Sequence, residues 1–151
     1  MTAPSASAIS DFLREVRESG DFERFLEAIP YLQMLGVSVK VQGEDLLVGM
    51  EGRESLIGNP VLPALHGGTV GALMESAAIL RLLREPDCQG VPKTITLTVD
   101  YLRSPRVKQT WARATITRFG RRVANVQVQA WQDEQDRPIA VAHAHFLLKS
   151  Q

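Results

Sequence analysis

The chain has almost no cysteine. Cys88 stands alone among 151 residues, so no disulfide can close within it and a reducing compartment is expected. Cys88 lies in a Pro/Asp/Gly-rich loop with no basic helper at its side, which argues against a reactive thiolate. Excess charge is also missing. Acids and bases number 17 each, so no global field selects a nucleic acid or a membrane surface. No apolar run approaches the roughly 20 residues that cross a bilayer. The start, Met1-Thr2-Ala3-Pro4-Ser5, lacks the basic head and apolar run of a secretory signal. A cytoplasmic protein is expected. There is no internal repeat and no low-complexity block, so the length predicts one domain with one core.

What charge there is falls unevenly. Residues 1–29 carry six acids and three arginines, whereas residues 101–132 carry seven bases and no acid. A local basic region in a neutral protein suits a small polyanion better than a long nucleic acid. An RNA-binding reading of residues 103–122 finds thin support, since only Trp111 and Phe119 interleave those bases.

Periodicity supplies the elements. Residues 1–7 are small and polar and are expected to fray. A helix capped by Ser7 or Ser10 is predicted to run to about Ser19, with Ile9, Phe12, Leu13 and Val16 on one stripe. A second short helix carries Phe22, Phe25, Leu26 and Ile29 up to Pro30, and residues 31–35 add a further turn. Two alternating runs, Val37/Val39/Val41 and Leu46/Val48/Met50, flank a turn at residues 42–45 and predict a hairpin. Residues 51–65 are expected to form a loop. A long helix then runs from about Gly67 to Arg84, stopped by Glu85-Pro86-Asp87 and Gly90. Four period-two strands follow. In the first, Ile95, Leu97, Val99 and Tyr101 are set on one face and Thr94, Thr96, Thr98 and Asp100 on the other. The alternation predicts an antiparallel sheet with one covered face.

The long helix is apolar nearly all round, which predicts burial on every side. One small domain covers only one side of it with a sheet, so the N-terminal helices or a second subunit must cover the other. Glu75 is the single charged residue between Gly67 and Leu80 and has no cation at i±3 or i±4. An unpaired carboxylate in apolar surroundings is costly, so Glu75 needs a partner from another element or a function as general base or nucleophile. Gly67, Gly68 and Gly71 each cost about 1 kcal/mol against alanine in a helix. Either they permit close helix–sheet packing, or they bare the first-turn amides, which have no partner inside the helix and can hold a developing oxyanion. His66 stands at the N-cap. His143 and His145 share a strand face, but no third ligand accompanies them, so no metal site is expected.

At these residues the chain resembles the hotdog-fold thioesterases of the phenylacetate-pathway (PaaI-type) group. The resemblance is carried by His66-Gly67-Gly68 followed by Glu75-Ser76-Ala77-Ala78, by the strand Thr94–Arg103, and by the basic hairpin Arg118-Phe119-Gly120-Arg121-Arg122. It implies an α+β hotdog fold: five or six antiparallel strands wrapped round one long helix, with residues 1–35 as an added helical segment and 36–151 as the hotdog domain. It implies a dimer or dimer of dimers with active sites at the subunit interface. It also implies acyl-coenzyme A hydrolysis without a separate cofactor. In that picture the Gly67 amide receives the thioester oxygen, Glu75 of the facing subunit activates water or attacks, Thr94 orients the water, and His66 shapes the oxyanion region. Asn59 stands in for an amide residue that the group often places before the histidine. Gly68, Arg118, Gly120, Arg121 and Arg122 meet coenzyme A. Two other readings of the same fold are a non-catalytic acyl-coenzyme A binder and a hydratase or dehydratase.

Overall fold

The computed structural model describes residues 4–148. Residues 1–3 of the expected frayed start and 149–151 of the expected hotdog domain lie outside that range. Three helices open the chain: α1 (Ala6–Ser19), α2 (Glu23–Glu27) and α3 (Pro30–Leu35). The α1 cap is Ser5, whose side chain accepts from the Ala8 amide. Neither Ser7 nor Ser10 caps the helix, and residues 6 and 7 are helical rather than frayed. Ser10 instead donates to the Ala6 carbonyl one turn back, 3.0 Å away. Pro30 begins α3 rather than only ending α2, its fixed φ and missing N–H being harmless in a first turn.

Strands β1 (Val37–Gln42) and β2 (Asp45–Met50) form the expected hairpin. The pairing of Gln42 with Asp45 leaves a two-residue loop, and Gly43 takes φ +60, the positive value a type II′ turn requires at its first central position. Residues 51–65 are not a plain loop. They hold a 3-10 turn (Glu54–Leu56) and a small hairpin of β3 (Ile57–Asn59) and β4 (Ala64–Leu65). Strands of three and two residues leave no alternation to read, and Pro60 and Pro63 between them disguise the pairing.

The long helix, α4 (Gly67–Leu83), is followed by β5 (Lys93–Tyr101), β6 (Thr110–Phe119), β7 (Val123–Trp131) and β8 (Ala140–Leu147). The main sheet has six antiparallel strands in the order β1-β2-β6-β7-β8-β5. Its inner face is rich in alanine, which lets α4 lie close. Ala112, Ala130 and Ala140 are fully buried and form one cross-strand row that ends at Tyr101 on the edge strand. A parallel row, Phe119–Ala124–Phe146–Thr94, crosses the same four strands at the other end of the sheet.

The two ends of α4 are tied down differently. At its C-terminus, Arg17 of α1 donates to the carbonyls of Leu83 (2.9 Å), Pro86 (3.4 Å) and Cys88 (2.6 Å). This clamp fixes the N-terminal segment to the main helix. Within the single chain the helix is not buried on every side. Gly68 is exposed, and Ala72, Glu75 and Ile79 are only half-buried. These four fall at i, i+4, i+7 and i+11, so one stripe of the helix stays open. Beside it lies β5, whose Ile95 and Tyr101 are also exposed. Among the described residues, no helix is long and apolar enough to cross a membrane.

Candidate functional site

Glu75 sits on the open stripe of α4 and reaches toward the edge strand. Its Oε1 accepts a hydrogen bond from the Thr94 hydroxyl at 2.5 Å. No cation lies within ion-pair distance of it among the described residues. Strict alternation along β5 puts Thr94 on the outer face with Thr96 and Thr98, where it could not touch the helix. A bulge corrects this. Thr94 pairs with Phe146 and Thr96 with the adjacent His145, so Ile95 is an extra residue. The register shift turns Thr94 to the inner face with Leu97, Val99 and Tyr101, beneath Glu75.

The N-terminus of α4 is built by His66. Its backbone is extended, and its Nδ1 accepts from the Gly68 amide at 2.8 Å. The ring proton is therefore on Nε2. The Thr69 amide and hydroxyl both donate to the His66 carbonyl, at 2.9 and 2.7 Å. That leaves the Gly67 amide without an acceptor among the described residues. Gly67 is held from its carbonyl side by Tyr101, whose hydroxyl donates to it at 2.7 Å. A Cβ on Gly67 would stand 3.2 Å from the Tyr101 ring, and one on Gly68 would stand 2.9 Å from His66 Nδ1. The two glycines allow close packing at the start of the helix. Gly71 needs no such explanation, since a Cβ there would make ordinary contact with the Tyr101 hydroxyl at 3.4 Å. The role of Tyr101 was not visible in the sequence, where it reads only as the last apolar residue of a strand.

Asn59 pairs with Ala64 across the β3–β4 hairpin, while its neighbour Gly58 packs directly on the His66 backbone. The Asn59 Oδ1, however, accepts from the amides of Val61 and Leu62 at 3.1 and 3.2 Å and so serves its own turn. The basic hairpin between β6 and β7 lines a cleft of 340 Å³ with Arg118, Gly120, Arg121, Arg122, Val123 and Asn125. Gly120 makes the turn possible: its amide donates to the Val123 carbonyl at 3.0 Å, and a Cβ would lie 2.8 Å from that oxygen. None of the three arginines has a carboxylate within 4 Å among the described residues. His145 is outside the site, its Nδ1 paired with Thr96 on the outer face at 2.7 Å. No cluster of metal-ligating side chains exists among the described residues. Cys88 is buried, donates to the Gly90 carbonyl at 3.3 Å, and its thiol is pushed above the usual range by desolvation.

A family model described as the acyl-CoA thioesterase N-terminal domain matches residues 59–147, more than half of the chain. The chain belongs to the acyl-CoA thioesterase family. This thioesterase is similar to a protein of known structure from Chromobacterium violaceum, at 34% identity over 92% of this chain and 97% of that one, with a TM-score of 0.75. A Pseudomonas aeruginosa protein is similar at 26% identity over 83% and 95% of the two chains, with a TM-score of 0.73. A phenylacetic acid degradation-related protein from Ralstonia eutropha JMP134 shares the fold, at 23% identity, 84% and 98% coverage and a TM-score of 0.72. Comparison with curated protein sequences gave no match. The six-stranded sheet around α4 is the hotdog fold, and the thioesterase is a thioester hydrolase by family.

Proposed function

We propose that the thioesterase hydrolyses acyl-coenzyme A with Glu75 as general base or nucleophile and the Gly67 amide as oxyanion donor. The observation that carries this reading is the Glu75–Thr94 pair: an acid without a cationic partner, held by a hydroxyl, on the one open stripe of an otherwise buried helix. In the base form, Glu75 takes a proton from water as the water oxygen bonds to the thioester carbon. The carbonyl electrons move onto the oxygen, which the Gly67 N–H receives. Collapse of that intermediate breaks the C–S bond, and coenzyme A leaves as thiolate. The Thr94 hydroxyl keeps Glu75 oriented and helps hold the water.

The two groups then come from different chains of a dimer. They lie eight residues apart on α4, about 12 Å along the axis at 1.5 Å per residue, whereas each must come within roughly 3 Å of the same carbonyl. A two-fold partner removes the conflict, since each copy then gives Gly67 to one site and Glu75 to the other. The stripe through Ala72, Glu75 and Ile79, with exposed Ile95 beside it, is the surface such a partner would cover. The unpaired arginines 118, 121 and 122 suit the phosphates of coenzyme A.

Release of free thiol from short, long and aromatic acyl-coenzyme A esters tests the proposal. Glu75→Gln and Glu75→Ala are expected to lower kcat about a hundredfold or more while keeping the wild-type circular dichroism spectrum. Near-normal kcat in both variants would remove Glu75 from the chemistry.

A further inference from the structure

A second cleft, of 420 Å³, opens between the N-terminal half of α1 and the adjoining ends of β5 and β8. Ile9, Val91 and Leu147 form its apolar wall. They keep 37%, 42% and 40% of their surface exposed. Lys93 and Arg122 stand at its rim, and Arg122 also lines the hairpin cleft. Arg122 is thus shared by two neighbouring clefts, one a trough walled by apolar side chains and the other walled by the hairpin guanidiniums. Lys93, like Arg118, Arg121 and Arg122, has no carboxylate within 4 Å among the described residues. A simple amphiphile with one carboxylate would match one of these four charges. A ligand with several phosphates and a flat base matches all of them and the trough together.

Resting on the acyl-coenzyme A reading above, we propose that this trough seats the adenine of coenzyme A. The base lies against Ile9 and Leu147, and the nearby phosphates meet Lys93 and Arg122. Lys93 immediately precedes Thr94 on β5, and the two side chains point to opposite faces of the strand. The thioester at Glu75 and the nucleotide at Lys93 are thus joined round the end of the edge strand by the substrate's flexible arm. Ile9 belongs to α1, which precedes the segment matched by the family model. Recognition of the nucleotide would then use a helix outside the matched segment, and Ile9 and Lys93 become specificity-determining residues.

The test compares an acyl-coenzyme A with the N-acetylcysteamine thioester of the same acid, which has no nucleotide, and measures calorimetric binding of adenosine 3′,5′-bisphosphate. Ile9→Asp and Lys93→Ala are each expected to raise KM for the coenzyme A ester about tenfold. They should leave kcat/KM for the short thioester unchanged and weaken bisphosphate binding in step. Lys93→Ala is a surface change that keeps the test alive if Ile9→Asp disturbs α1. An unchanged KM in Lys93→Ala, or equal losses on both thioesters, overturns the proposal. So does competition for the trough by a free carboxylic acid but not by the bisphosphate. The two readings fail separately. Bisphosphate binding that depends on Lys93, without cleavage of any thioester, upholds the trough and sinks the hydrolysis. Cleavage without bisphosphate binding does the reverse.

Discussion

The contact between Thr94 and Glu75 joins a residue that the sequence marks plainly to one that it hides. Glu75 stands out because it is the single charge in a run of apolar helix. Thr94 is one of four alternating hydroxyl and acidic side chains, and alternation alone assigns it to the wrong face; only the family resemblance singled it out. A hydrogen bond to a charged group contributes about 1.5–3 kcal/mol, so Thr94→Val is expected to lower kcat by roughly tenfold or more, with Thr94→Ser close to wild type. Equal kcat in the two variants would show that the hydroxyl has no part in the reaction. His66 makes a different forecast. Its imidazole caps α4 through the Gly68 amide, a task that asparagine can perform. In urea denaturation His66→Ala should lose about 1 kcal/mol of stability and His66→Asn far less. If His66→Asn were stable but inactive, the ring would be needed for chemistry as well as for capping.

At the scale of elements, what repeats was legible and what interrupts was not. The β1–β2 hairpin, α4 and the four later strands follow from periods of two and 3.6 residues and from Gly and Pro stops. The bulge at Ile95 interrupts a period without changing composition, so no local signal betrays it. Yet it is the device that turns Thr94 under the helix. The β3–β4 hairpin is too short to show any period, and its tertiary contact with His66 through Gly58 appears only in three dimensions. The α1 cap falls at Ser5 rather than Ser7 or Ser10, because several small polar residues compete there and only the backbone decides between them. The role of Arg17 was equally hidden, since its three carbonyl acceptors lie 66 to 71 residues away. Arg17→Met would strand those carbonyls at the end of α4. It is expected to destabilise the protein by about 2–3 kcal/mol, seen as a lower urea midpoint at unchanged m-value. A midpoint within error of wild type would show that the clamp is dispensable.

For the molecule as a whole, the sequence posed the question of what covers the far side of an apolar helix, and the structure narrows it to one stripe. Self-association on that stripe makes a distinctive prediction. Gly67 is the first residue of α4, a position whose backbone accepts proline and where proline removes the amide hydrogen, the Tyr101 ring 3.2 Å from the added Cβ having to give by a few tenths of an ångström. Glu75→Gln and Gly67→Pro should each be nearly inactive alone. Mixed by unfolding and refolding, they should recover about a quarter of wild-type activity, because half the dimers are mixed and each mixed dimer has one intact site. No recovery, with mixed dimers verified by mass, would place both groups in the same chain. The axial rise of about 12 Å between the two residues on α4 also has a physiological reading. A newly made, solitary chain would be inert toward its substrate. Turnover per chain would then fall steeply on dilution below the dissociation constant of the dimer, so the level of expression would itself act as the switch.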